Sequence, residues 1–341
     1  MLTPIHGSRA PTELEMYPND PHIEYWKKIG FGELTNLGKQ QSVQLGKIIR
    51  KRYRSFLSKD YNPDEVLTKS TNFNRTLETA KLVLDGIFDN STSTPYVIQW
   101  KELSKDFDLT NPYNYCTAYI NEAKYLTKTR VFINNELKYK KVFKLMSEKS
   151  GERIENIIDA YFLFQVLYSE KYINLPNPDW DDNLYNTLQE IASYQHYNDN
   201  FSLKLKRLGG GNTVKKIIMD MKKKSTNTFI PNNRKILLHS VHDVNIAYLL
   251  AAMNLFTLHI PNYNAAIIVE LHSSKTSSKY YVKVFYIKHV QEKATAMFIT
   301  DCGYSCELNK FEDILRPYLP LNYTKECESE VLLDEDDYNI L

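Results

Sequence analysis

Between residues 34 and 57 apolar side chains recur at Leu34, Leu37, Leu45, Ile48, Ile49, Tyr53 and Phe56, close to one face of a helix, behind a Gly-containing turn. The spacing predicts a helix that can cover one face of a sheet. The short run Glu65-Val66-Leu67-Thr68-Lys69 reads as a strand, and Leu77, Ala80, Leu82, Val83 and Leu84 after it fall on a helical period. Further strands are expected over residues 96–100, 235–240, 265–270 and 280–286; the polar Ser273-Ser274-Lys275-Thr276-Ser277-Ser278 between the last two makes them a hairpin. From about 112 to 202 the pattern changes: strand-like runs are few, Lys, Glu, Asn and Tyr are common, and helical periods lie near 138–145, 154–168 and 183–197. Helices are also expected over 214–221 and 244–253. The organisation this predicts is an α/β core from residues 1–111 and 203–341, interrupted by a helical cap at 112–202 that walls a pocket above the strand ends.

Composition narrows the class without deciding the chemistry. With 43% hydrophobic and 25% charged residues the chain is globular, and disordered or fibrous classes are excluded. A net charge of +2 predicts no nucleic-acid partner; Arg50-Lys51-Arg52 and Lys222-Lys223-Lys224 lie on helical patterns and read as solvated faces. No apolar run approaches the twenty or so residues of a membrane span, so no transmembrane segment is expected. Gly209-Gly210-Gly211-Asn212-Thr213 lacks the Lys-Ser/Thr ending and the preceding strand of a nucleotide loop, and is expected to be a turn before a helix. The four cysteines permit three pairings, and Cys302 with Cys306 has no companion pair that would make a metal knuckle. Asn90, Asn200 and Asn322 head glycosylation sequons, as does Asn74.

The candidate chemistry gathers at strand ends. Ile5-His6-Gly7-Ser8-Arg9-Ala10-Pro11 places a histidine with Arg three residues on, where a ring nitrogen can attack phosphorus and a guanidinium can fork onto phosphate oxygens. Ser70-Thr71-Asn72-Phe73-Asn74-Arg75-Thr76 sets a second arginine after a strand, and His242-Asp243 follow the strand 235–240 with another phosphate donor and a carboxyl acid. Three strand ends would converge on one oxyanion. No metal or other cofactor is called for, because fixed cationic side chains take the place of a cation.

These motifs resemble the histidine acid phosphatases, the prostatic and lysosomal branch of the histidine phosphatase superfamily, over nearly the whole chain. The resemblance includes residues 5–11, Phe31-Gly32-Glu33-Leu34-Thr35-Asn36-Leu37-Gly38, the helix through Leu45-Gly46 to Arg54, residues 70–76 and 240–243, and a tail with Cys302-Gly303-Tyr304-Ser305-Cys306, Phe311, Pro317, Pro320 and Cys327. It implies a phosphoglycerate-mutase-like α/β fold: a central mixed, mainly parallel sheet flanked by helices, with an inserted helical cap. It implies His6 as nucleophile, Asp243 as proton donor, and Arg9, Arg75 and His242 as the cradle of a small phosphate monoester. It also favours bridges Cys302–Cys306 and Cys116–Cys327, a homodimer, and a secreted or lysosomal location. The family motif opens with Arg where this chain has Ile5, so a catalytically weak relative that binds phosphate-bearing ligands is the alternative, and a phosphotransferase or mutase is a third reading. Only Met1-Leu2-Thr3-Pro4 precede Ile5, with no signal peptide, and the expectation is an N-terminal truncation that shortens the first strand.

Overall fold

The computed structural model describes residues 1–89, 94–177 and 179–328. In chain order the elements are β1 (Leu2–Pro4), α1 (Ile23–Ile29), α2 (Asn36–Arg52), β2 (Val66–Ser70), α3 (Asn74–Phe88) and β3 (Ile98–Gln99). Helices α4 (Thr117–Leu126), α5 (Arg130–Ser150), α6 (Ile157–Tyr172), α7 (Asp182–Asn198), α8 (Leu203–Lys206) and α9 (Asn212–Ser225) follow without an intervening strand. The chain then returns to the sheet through β4 (Ile236–Ser240), α10 (Asp243–Ala252), β5 (Ala266–Ser273), β6 (Tyr280–Ile287), β7 (Thr295–Ala296) and β8 (Cys306–Glu307), before α11 (Leu308–Leu315) and α12 (Tyr323–Glu328).

The sheet is mixed, in the order β3-β2-β4-β1-β5-β6-β7, with β8 beside β6. Strands β3, β2, β4 and β1 run parallel, while β5, β6 and β7 extend the sheet antiparallel, β5 and β6 forming the expected hairpin with Ser273 opposite Tyr280. Burial alternates along β2 and β4, at Val66, Thr68 and Ser70 and at Ile236, Leu238 and Ser240, as period-two strands with covered faces require. On one face α2 and α3 bring Leu45, Ile49, Ala80, Val83 and Leu84 onto Leu2, Leu238 and Ile268. On the other, α9, α10 and α11 pack Ile217, Ile246, Leu250 and Phe311 against Ile5, Ile267 and Val284. Helices α5, α6 and α7 have their own core around Phe143, Phe164, Leu188 and Ile191, with Tyr17 from the N-terminal loop inserted.

Several expectations change in detail. The helix over 34–57 ends at Arg52, and Tyr53 to Leu57 form a hydrogen-bonded turn. Of residues 96–100 only Ile98–Gln99 pair, at the edge beside β2. The triple glycine is no turn: Arg207–Gly211 is a π-helical stretch running from α8 into α9. A Cβ on Gly210 would lie 2.1 Å from the Tyr248 carbonyl oxygen, so the glycines let this stretch lie directly on α10. Bridges Cys116–Cys327 and Cys302–Cys306 are both present. Asn200 is buried and donates its amide to the His196 carbonyl at 2.9 Å, so its sequon is closed to a glycan in the folded chain. Asn322 and Asn74 are exposed, and Asn90 lies outside the described residues.

Strand β1 is short and central. Its backbone meets Val269 at Met1 and Val241 at Pro4 and His6, and Pro4 contributes only its carbonyl to the Val241 N–H. Beyond Met1, β5 continues to Ser273, and between it and β4 lies a cavity of about 540 Å³ lined by Met1, Leu2, Ile236, Leu237, Val269 and Leu271 among others. No helix among the described residues is long and apolar enough to cross a membrane.

Candidate active site

Register brings the predicted residues together. Ile5 bridges Val241, and Ser70 pairs with Ser240, so the segments after β1, β2 and β4 leave the sheet side by side at the C-terminal ends of parallel strands. His6, Arg75 and His242-Asp243 are the first functional side chains beyond those ends. The His6 loop is pressed onto the start of α2: Thr35 caps the helix by accepting from the Gly38 N–H at 3.0 Å, and Ser8 Oγ lies 2.5 Å from Thr35 Oγ1. Gly38 permits this contact, since a Cβ there would sit 2.2 Å from the Ser8 carbonyl oxygen.

His6 is buried, and its Nδ1–H donates to the Gly7 carbonyl at 2.9 Å. That bond sets the tautomer and leaves Nε2 with a free lone pair. Burial, then the charges of Arg75 and Arg9, hold His6 well below the usual histidine range, so the imidazole is neutral. His242 is 5.4 Å from His6, centroid to centroid, and is likewise held low by burial, Arg75 and His6. Its Nε2 lies 3.0 Å from Thr71 Oγ1, and Nη2 of Arg75 donates to its Nδ1 at 3.4 Å. Phe73 clamps this corner, edge-on to His242 and beneath the Arg75 guanidinium at 4.6 Å. Burial, then the charge of Arg9, lowers Arg75 to about 10.

Arg9 is engaged in the resting protein. Its Nη2 donates to Glu15 Oε1 at 2.6 Å and Nη1 to Oε2 at 2.7 Å, a buried bidentate pair; Nη1 also donates to the Ala10 carbonyl. Burial alone would lower Arg9, but Glu15 outweighs it and holds the guanidinium above its usual range. Its Nε has no hydrogen-bond partner. Ile5 lies elsewhere: its side chain is 1% exposed in the apolar core with Val241 and Ile267, and offers the pocket no donor.

Asp243 is the first residue of α10, where the helix dipole favours a carboxylate, and its Oδ1 accepts from the Val244 N–H at 2.9 Å. Its Oδ2 accepts from Tyr161 Oη at 2.8 Å and Gln165 Nε2 at 3.2 Å, both on α6, and lies 3.4 Å from His196 Nε2 on α7. Burial would raise Asp243, but nearby His196, then Tyr161 and His6, outweigh it and hold the carboxyl far below the usual range. The sequence did not single out Glu15, Tyr161, Gln165 or His196. Tyr161 and Gln165 share a helix face at i, i+4, but nothing local marks that face as turned toward Asp243, some eighty residues away. No group of three or more His, Cys, Asp or Glu side chains among the described residues could hold a metal ion.

Comparison with known proteins shows the family of the chain. The model of the histidine phosphatase superfamily (branch 2) matches residues 6–287. Human prostatic acid phosphatase is 28% identical, over 94% of this chain and 85% of its own length. The venom acid phosphatase of Apis mellifera is 30% identical over 98% and 88%. Among solved structures, the Hafnia alvei phytase in complex with myo-inositol hexakis sulphate superposes with a TM-score of 0.73 at 16% identity, covering 96% of each chain.

Proposed function

Because the chain belongs to branch 2 of the histidine phosphatase superfamily, we propose that it hydrolyses small phosphate monoesters through a phosphohistidine on His6. The observation that carries this reading is the His6 ring itself: neutral, anchored through Nδ1, with Nε2 free beside two guanidinium groups and His242. In the first step Nε2 attacks phosphorus while Asp243 gives a proton to the departing oxygen; in the second, Asp243 takes a proton from the water that displaces His6. Arg9, Arg75 and His242 bind the non-leaving oxygens, where the two guanidinium charges and the His242 ring N–H stabilise the transferring group. Residues 112–202 act as a cap over the core on either side of them, lending Tyr161 and Gln165 to the site. The acid phosphatases it resembles, including those named as prostatic and lysosomal, support a secreted or lysosomal protein, as do its two disulfides.

The alternative, a weak or inactive relative that binds phosphate-bearing ligands, is favoured by Ile5, which supplies no guanidinium, and by Glu15, which already holds Arg9. Hydrolysis of p-nitrophenyl phosphate from pH 4 to 8, with trapping of the phosphoenzyme, separates the two. Turnover with phosphate on His6 supports the enzyme; phosphate binding without turnover supports the alternative.

A further inference from the structure

His196 is 1% exposed on α7, and neither ring nitrogen has a hydrogen bond of good geometry, a costly position for an imidazole that does nothing. Its Nε2 points at Asp243 Oδ2 from 3.4 Å. The ionisable groups that face it are Asp243 from α10, Tyr161 from α6 with ring centroids 5.5 Å apart, and Asp199 just past the end of its own helix; His259, after α10, acts on it from farther off. Asp199 is itself buried, with Tyr113 Oη donating to its Oδ1 at 3.2 Å and Gln195 Nε2 at 3.0 Å. Beyond Asp243 lie His6, Arg9 and Arg75.

A proton donor must carry a proton, yet Asp243 sits among groups that favour its ionised form: three side chains on Oδ2, a backbone N–H on Oδ1 and the first turn of α10. The proton has to come from a neighbour, and among the three partners of Oδ2 only the imidazole can carry a proton on each ring nitrogen and remain a neutral base after giving one up; a carboxamide does neither, and a phenol would be left as an anion. We propose that His196 is the proton reservoir for Asp243, a positioning residue that loads the general acid from the cap side of the site. The assignment rests on the phosphohistidine reading above. As the phosphate dianion enters, Asp243 gains affinity for a proton, and the Nε2 proton of His196 passes to Oδ2. The N–P bond then forms on His6, the P–O bond breaks, and the Asp243 proton leaves on the alcohol. In the second step the attacking water gives its proton to Asp243, which returns it to His196 as the N–P bond breaks and phosphate departs. Protons and bonds balance over the cycle. Asp199 is raised to about 6, chiefly by burial, so it is largely protonated below that pH.

The test compares His196→Gln and His196→Phe with the unaltered chain; the second fills the same space and carries no proton. Rates are measured on p-nitrophenyl phosphate and on glycerol 2-phosphate, whose alkoxide needs protonation far more. The loss on the alkyl ester should exceed that on the aryl ester by at least tenfold in both variants, with the difference widening toward neutral pH. Independently, calorimetry of tungstate binding in buffers of different ionisation heat counts protons drawn from solvent. The variants should draw more, up to one per bound anion, because Asp243 no longer receives its proton internally. Equal losses on both esters, or a proton count that the substitutions leave unchanged, overturns the assignment. If the unaltered chain hydrolyses neither ester, the phosphatase reading fails, and the proton count alone decides whether His196 supplies Asp243.

Discussion

His6 has only Nε2 free to act as a nucleophile, because Nδ1–H is held by the Gly7 carbonyl, and burial with two nearby guanidinium groups keeps the ring neutral into acidic solution. His6→Ala should therefore abolish turnover while leaving the melting temperature near that of the unaltered chain; residual turnover with phosphate trapped elsewhere would remove His6 from its role. Asp243→Asn should slow alkyl esters by about 10²–10⁴ and aryl esters much less, since a good leaving group departs with little proton donation. Ile5 raises a different question. Its side chain is packed with Val241 and Ile267, so Ile5→Arg puts a guanidinium into apolar core unless it swings toward bound phosphate. The apo variant should melt lower than the unaltered chain and recover in saturating tungstate. If the site lacks only that donor, turnover should rise by as much as about 10²–10³. A rise in turnover without ligand-dependent recovery of stability would mean that the new side chain acts somewhere other than on the phosphate.

Among the elements, α10 carries Asp243, and its packing is close. The glycines of Arg207–Gly211 let that stretch lie against Tyr248, and a methyl group on Gly210 would meet the Tyr248 carbonyl oxygen. Gly210→Ala should thus cost on the order of 1–3 kcal/mol in denaturant unfolding, as overpacking does, and an unchanged midpoint would show that the helices part without strain. The Cys116–Cys327 bridge joins the start of α4 to α12 across 211 residues of sequence. Its reduction should lower stability by roughly 2–5 kcal/mol; calorimetry with and without reductant checks this. The elements that the sequence made legible were those with a strong local period: β2 and β4, the β5–β6 hairpin, and the helices behind the catalytic segments. Local pattern failed where distant partners decide. Gly209-Gly210-Gly211 looks like a turn until Tyr248 and Tyr318 are seen occupying the space a side chain would need, and only then does the helical path make sense. The motifs located His6, Arg75, His242 and Asp243, whereas the engagement of Arg9 by Glu15 and of Asp243 by Tyr161, Gln165 and His196 depends on how the cap is placed, which no short window of sequence records.

For the molecule as a whole, stability should depend on pH through a buried carboxyl pair. Asp20, in the loop that follows the His6 segment, and Glu170, on the helix that carries Tyr161 and Gln165, are buried carboxyls that act on each other, and Asp20 Oδ2 and Glu170 Oε1 each lack a hydrogen-bond partner, an arrangement that favours a proton on one of them. Asn177 Nδ2 donates to the other Glu170 oxygen at 2.7 Å, and the His22 N–H donates to Asp20 Oδ1 at 2.6 Å. Burial, with the Asp20 charge adding to it against the Asn177 bond, pushes Glu170 up to about 8, while burial also raises Asp20. An acid raised in the folded state stabilises fully below its unfolded value, about 4.5, and that contribution is lost as pH rises through about 8. The loss accumulates at up to about 1.4 kcal/mol per pH unit. His6 and His242 tilt the other way: with folded values depressed, their contribution is present above about 6.5 and lost as pH falls below it. The unaltered chain should therefore lose melting temperature between pH 6.5 and 8, and Glu170→Gln, which keeps a donor facing Asp20 without a proton to lose, should flatten that alkaline slope and steepen the fall on the acid side, where Glu170 no longer offsets the histidines. If the pair is what seats α6 over the site, the same substitution should also extend alkyl-ester hydrolysis to higher pH, because Tyr161 and Gln165 would stay on Asp243 where the unaltered cap has begun to loosen. An alkaline slope that persists in Glu170→Gln would place the pH-sensitive contact elsewhere in the fold.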